Sequence, residues 1–170
     1  ERRDFRLNAI YASADGRLHE VVPGSIEDAL TGRVIFIGDA DQRLREDFLR
    51  ILRFFRFNAW YGAGMDAEGL AACERQKEGL AKIAAERIWK ELKRLMEAPD
   101  PSEAMLAMEE AGVLEAVLPG ASASELPSLV AVEQGAGLTP DPLQRLMAMM
   151  PRRARDVSHV TGHLRLSNAE

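Results

Sequence analysis

The spacing of apolar positions changes once along the chain, near residue 41. Before that point the pattern is short and broken. Asp15-Gly16 is a turn signal, residues 17–22 alternate as a short strand does, and Pro23-Gly24 interrupts them. Ser25 is placed to cap a helical turn over 26–30, and the β-branched run 33–37 predicts another strand. Residues 5–12 fit a strand, or a short helix capped by Asp4, equally well. Two or three short strands are only marginally stable alone, so this segment reads as the edge of something larger.

From Asp41 the apolar period becomes helical. Leu44, Phe48, Leu49, Leu52, Phe55 and Phe57 fall on one broad face that runs to Gly62 and Gly64. Further helices are predicted over 66–77, over 84–97 before Pro99 and Pro101, from Ser102 to Gly112, and over 114–118, 126–134 and 142–150, with Pro151 as a stop. The expected fold class is mainly α, a helical array behind a short β-containing beginning. Met105, Met108, Met147, Met149 and Met150 recur at helical spacing and are assigned to the core. Trp60 and Trp89 are assigned to the core or to helix packing rather than to base stacking.

Composition narrows the class. With 46% hydrophobic and 29% charged residues, the 170-residue chain is neither disordered nor low in complexity. No apolar run reaches the roughly 18 residues of a membrane-spanning helix. A single cysteine, Cys73, excludes an internal disulfide framework and suggests a reducing, cytoplasmic compartment. The chain opens inside a charged motif without a methionine and reads as a piece of a longer protein. The net charge of −5 argues against a surface basic all over, but its distribution is uneven. Residues 1–60 hold ten basic and ten acidic side chains, whereas 99–150 hold one against eight. A phosphate-binding surface is therefore expected in the first hundred residues or at the C-terminal end, and the acidic stretch between them would repel a polyanion.

The densest chemistry lies between Arg45 and Arg56. On a helix, Arg50, Arg53 and Arg56 form a slowly rotating basic stripe beside Asp47, backed by Leu and Phe. An amphipathic helix with local ion pairs accounts for many such patterns. Here three or four arginines face only two nearby acids, and arginine at every position suits planar, bidentate contacts to base edges or phosphates. At the chain start, Arg2-Arg3-Asp4 sets two guanidinium groups beside a carboxylate that suits a ribose hydroxyl or a helix cap. Asp39-Ala40-Asp41 has the spacing of a metal-binding pair but is assigned to a loop. His159 and His163, at i,i+4 without a third ligand, are assigned to the surface. Arg152-Arg153-x-Arg155 is assigned to a solvated helix start.

Taken in order, Arg2-Arg3-Asp4-Phe5-x-x-Asn8-Ala9, Gly24-Ser25-Ile26-Glu27-Asp28-Ala29-Leu30, Gly38-Asp39, Glu46-Asp47-x-x-Arg50-x-x-Arg53 and Glu86-Arg87-Ile88-x-x-Glu91-Leu92 resemble the bacterial tRNA nucleotidyltransferase and poly(A) polymerase family, which includes CCA-adding enzymes. The resemblance is dense over 1–98 and thin beyond. It implies that Arg3 and Asp4 contact the nucleotide sugar and phosphates, and that Asp47 and Arg50 read the Watson–Crick edge of the incoming base. Arg53 and Arg56 would approach the same nucleotide, while Glu86 and Glu91 would brace the template helix. Residues 24–39 match a flexible region. By the same resemblance, 1–40 is the C-terminal part of a nucleotidyltransferase head, 41–98 a helical neck carrying the template, and 99–170 the start of an RNA-holding body.

The implied reaction transfers AMP or CMP from ATP or CTP to an RNA 3′ hydroxyl, that of a tRNA or another RNA, with Mg2+ as cofactor. The family's metal carboxylates precede its sugar motif, so their ligands are expected upstream of Glu1. This chain alone is then expected to be inactive. Arg6, Ala40 and Phe48 depart from the family, which has Thr at the first position and Pro at the other two. The competing reading is a non-catalytic helical RNA-binding or protein-interaction module, which would use the same stripe for backbone phosphates.

Overall fold

A computed structural model describes residues 3–151 and Leu164. Arg2, Arg152, Arg153, Arg155, His159 and His163 lie outside the described residues. The chain start settles the open choice at 5–12 by using both conformations: a 3-10 turn over Arg6–Asn8 leads into β1 (Ile10–Ala12). β1 pairs antiparallel with β2 (Leu18–Glu20), with Tyr11 opposite His19. The turn between them uses the positive φ of Gly16, which glycine adopts without strain.

The expected capping role of Ser25 is not what the structure shows. Helix α1 (Ser25–Thr31) starts after Gly24 at φ 83°, and the Ser25 hydroxyl donates backward to the Val22 carbonyl at 2.6 Å. The Glu20 carboxylate accepts from the Ile26 N–H at 2.7 Å instead, taking up a donor of the first turn from outside the helix. Nor do residues 33–37 join the sheet. Phe36 makes one isolated bridge to Phe5, supported by the Arg6 N–H on the Ile35 carbonyl at 2.9 Å and the Ile37 N–H on the Asp4 carbonyl at 3.1 Å. These bonds clip the chain start onto the segment before the helical array.

The helical face read from Leu44 to Phe57 is two helices, α2 (Ala40–Glu46) and α3 (Leu49–Tyr61). Asp47 is extended at φ −155°, and its side chain accepts from the Leu49 N–H at 3.1 Å, so it helps to start the second helix. Apolar periodicity cannot register such a break, because the hydrophobic face resumes in nearly the same direction. Phe48 fills the break with its ring against Gly79, leaving no room for a Cβ there. The loop expected at Asp39-Ala40-Asp41 holds for Asp39 alone, since Asp41 lies in the first turn of α2. Asp39 caps α2 by accepting from the Gln42 N–H at 2.7 Å, while Asp41 pairs with Arg75 and accepts from Gln76 at 2.7 Å.

The other predicted helices form near their expected bounds. They are α4 (Ala67–Gln76, capped by Asp66), α5 (Ala85–Met96), α6 (Ser102–Glu110), α7 (Val113–Val117), α8 (Leu126–Gly135) and α9 (Pro142–Met149). A 3-10 run over Lys77–Lys82 that periodicity does not predict lies between α4 and α5. Helix α3 packs on α5 and α6, α2 on α4, and α9 on α5. Phe5 packs as a tilted ring against Phe36 and Phe54 within this core, with Phe57 against the core's edge and the Phe5 and Phe36 ring centres 4.9 Å apart. Met105, Met108, Met149 and Met150 are buried as expected, but Met147 is half exposed. Trp89 is 7% exposed and Trp60 42%, so Trp60 does not belong to the core.

The lone cation of the acidic stretch, Arg145, is 1% exposed. Its guanidinium lies against the buried Glu133 carboxylate at 2.6 Å and donates to the carbonyls of Met96 and Ala98, at the C-terminal end of α5. Arg145→Ala leaves Glu133 and those carbonyls unpaired. It should lower the unfolding free energy by about 3–5 kcal/mol in urea titrations, whereas Glu133→Leu with Arg145→Met should cost far less.

The Asp41 carboxyl is held below its ordinary 3.8 by the hydrogen bond from Arg75, then by that from Gln76. A lowered carboxyl contributes stability above its unfolded pKa and loses it as pH falls through the folded value. The melting-temperature gap between wild type and Asp41→Asn should therefore persist at neutral pH and close below 3.8.

Candidate functional site

Asp4 is 8% exposed because Phe5 beside it is fully buried and its own carbonyl is bonded to Ile37. A carboxylate in that position needs charged partners. Helix α3 supplies them one turn apart: Arg50 Nε donates to Asp4 Oδ1 and Arg53 Nη1 to Asp4 Oδ2, both at 2.8 Å. A second buried carboxylate, Glu91 of α5, stands 3.3 Å from Arg53 Nε and 2.9 Å from Arg56 Nε. Arg50 also donates to Glu46 at 2.7 Å, and Arg43 ties the same carboxylate to the chain start by donating to the Arg3 carbonyl at 2.8 Å.

The charge count read along the helix is corrected by these contacts. The acids that balance the stripe come from Asp4 and Glu91, far away in sequence. For Arg50, burial opposes the charge, but its hydrogen bonds to Glu46 and Asp4 outweigh it and the net shift is upward. Arg53 shifts the same way, with Asp4 and Glu91 overcoming burial. The hydrogen bond from Arg50 holds the Glu46 carboxyl below its usual range, against the opposing effect of desolvation.

Arg3, Asp4, Arg53, Arg56 and Glu91 all line one open groove of about 330 Å³. Lys90 and Arg94 of α5 complete it, giving five cations against two carboxylates. Sequence reading missed these two. Their signal was present, since they flank Glu91 at i,i+4 on a helix whose apolar side is fixed by Leu92 and Leu95. Neither forms an ion pair among the described residues. The surplus charge and open mouth suit a phosphate chain.

Not every expected site residue reaches this groove. Asp47 lies in the break between α2 and α3, out of line with the stripe, and pairs with Arg87 at 3.2 Å. Arg50 sits on the far side of Asp4 with its Nε and Nη1 hydrogens engaged internally. Glu86 is exposed in the first turn of α5, where a carboxylate favours the helix N-terminus, and does not line the groove. Of the two expected braces, Glu91 bridges α5 to the arginines of α3. Arg6, the departure near the chain start, pairs with fully buried Asp28 at 2.8 Å and so holds α1 in place. Among the described residues no group of three or more His, Cys, Asp or Glu side chains is placed to hold a metal.

Comparison with known proteins agrees with this architecture. Residues 64–124 match a sequence family described as the probable RNA and SrmB-binding site of polymerase A. The whole chain is 32% identical over 174 residues to the mitochondrial CCA tRNA nucleotidyltransferase 1 of Danio rerio, of which it covers 40%. Its fold is shared with the Thermotoga maritima CCA-adding enzyme solved with tRNA (TM-score 0.74, 18% identity, 98% of this chain and 44% of that one). The same holds for the Bacillus stearothermophilus CCA-adding enzyme solved with CTP (TM-score 0.63, 24% identity, 96% and 45%). The chain thus spans about two fifths of the length of that curated relative.

The unequal positions of the two braces predict unequal stabilities. Glu91→Ala strips Arg53 and Arg56 of a buried partner and should cost about 1–3 kcal/mol in urea unfolding. Glu86→Ala should stay within about 0.5 kcal/mol of wild type, as exposed substitutions do.

Proposed function

We infer that this chain, a member of the CCA-adding tRNA nucleotidyltransferase family by the sequence and fold it shares with them, carries the region of such an enzyme that recognises a nucleoside triphosphate and holds an RNA 3′ end. The observation that carries this reading is the basic groove built around buried Asp4. The proposed organisation follows the same family: 1–40 completes a catalytic head, 41–98 is the neck that reads the nucleotide, and 99–170 begins the RNA-holding body. The whole enzyme would transfer AMP or CMP from ATP or CTP to the RNA hydroxyl.

In this proposal Arg3, Arg53 and Arg56, with Lys90 and Arg94, hold the triphosphate, and Asp4 fixes the arginine heads. Asp47 and Arg50 read the base edge from beyond Asp4. Their present partners support that role. The Asp47–Arg87 and Arg50–Glu46 pairs each have an exposed member, Arg87 or Glu46, and exposed pairs contribute little, so a base can displace them. The buried Asp4 pairs stay in place and keep the geometry. Magnesium, which the family implies, finds no fitting ligand set among the described residues, since Asp4 and Glu91 are held by arginines and Asp39 and Asp41 by α2 and α4. No step assigned to this chain passes through a metal.

Titration of the chain with ATP, CTP and tripolyphosphate tests the reading. Arg53→Lys keeps the charge but loses the planar fork, and should weaken both nucleotides about tenfold, while Arg17→Ala on the hairpin should have no effect. Asp47→Asn should change the ATP-to-CTP preference and leave tripolyphosphate unaltered. Binding of tripolyphosphate as tight as that of the nucleotides, indifferent to base and falling steeply with salt, would favour the backbone-binding module instead.

A further inference from the structure

At the C-terminal end of α3 the basic groove continues into a second depression of about 310 Å³, lined by Arg56, Phe57, Trp60, Tyr61, Arg94 and Glu97. The two share Arg56, Phe57 and Arg94, so they form one continuous surface. Its character changes along the way. The first part is charged, whereas the second presents two large aromatic side chains, Trp60 at 42% and Tyr61 at 59% exposed. Trp60 is not loose. Its indole N–H donates to the Arg94 carbonyl at 2.7 Å, which fixes the ring to α5 and satisfies its polar atom without covering its carbon face. Tyr61 is held in turn against Phe57, ring centres 5.7 Å apart.

From this arrangement we propose that the Trp60–Tyr61 depression is a stacking site for a base of single-stranded RNA, placed next to the nucleotide groove so that one strand runs from the aromatic step toward Arg53. An aromatic platform flanked by arginines is the chemistry that binds single-stranded nucleic acid, with the ring taking any base and the guanidinium groups the backbone. Arg56 and Arg94 supply those groups here, and Glu97 is the one acid on the rim. Trp60 follows Arg53 by seven residues on the same helix, roughly 10 Å along its axis, a span along which a strand's backbone can run from the aromatic step to the arginines. The site depends on the proposed function for its direction along the groove but not for its existence.

The two tryptophans make the test direct, since Trp89 is buried and Trp60 is exposed. In the full chain carrying Trp89→Phe, emission comes from Trp60 alone. A single-stranded RNA hexamer should quench that emission, and an abasic hexamer with the same phosphates should not. Trp60→Leu should weaken RNA binding about tenfold, while Trp60→Phe, which loses the same hydrogen bond but keeps a ring, should bind within about twofold of wild type. Circular dichroism checks that each variant is folded, and Tyr61→Ala serves as the second arm if Trp60→Leu is not. RNA binding that leaves Trp60 emission unchanged, or equal quenching by the abasic strand, overturns the stacking site. So does an absence of RNA binding, which would leave this face to a protein partner or to other parts of a longer chain. ATP titration separates the two proposals: quenching by RNA without ATP binding in the groove upholds the stacking site and overturns the nucleotide reading, and the converse does the opposite.

Discussion

One carboxylate organises the basic end of this molecule. Asp4 is buried beside Phe5, and its two oxygens are shared between Arg50 and Arg53. Because the carboxylate is withdrawn from water, its attraction for the arginines is strong, and its loss would leave Arg50 only Glu46 and Arg53 only Glu91 as acidic partners. Asp4 is also the point at which the small β-containing segment meets the helices, through the backbone bonds that link Asp4 and Arg6 to the 35–37 segment. The direction in which the arginines point, and so the shape of the groove, follows from a residue near the chain start.

Two kinds of ion pair coexist around that centre, and they differ in exposure. Asp4 and Glu91 are withdrawn from solvent and hold Arg53 between α3 and α5. The Glu46 and Asp47 pairs are more exposed and can exchange partners at little cost. Such a division gives a rigid floor with a pliable rim.

The helical array was legible in the chain because each helix carries a long apolar stripe or an explicit stop. Asp66 before α4, Pro99 after α5 and Asp141 before α9 are local signals that need no tertiary information. What escaped the sequence was non-local. Nothing near α3 in the chain announces that Asp4 and Glu91 would neutralise its arginines, so the stripe looked freer than it is. The division of α2 from α3 was hidden by an apolar face that continues across it. Trp60 looked like a packing residue because it follows an apolar run, yet the last turn of α3 reaches beyond the core. Arg3, Asp4, Arg53 and Arg56, which the family resemblance had singled out, line one groove, while Lys90 and Arg94 became visible only when α5 was packed against α3.

Arg145 has a mechanical consequence. Its guanidinium rivets the acidic half to the last carbonyls of α5, the same helix whose earlier turns present Lys90 and Arg94 to the groove. Helices transmit displacement along their axis with little loss, so α5 works as a lever with a charged pivot at one end and the groove at the other. A load that shifts α8 and α9 either tears Arg145 from its partners or tilts the cations that meet a ligand. A displacement of α8 and α9 is thereby carried along α5 to the basic groove.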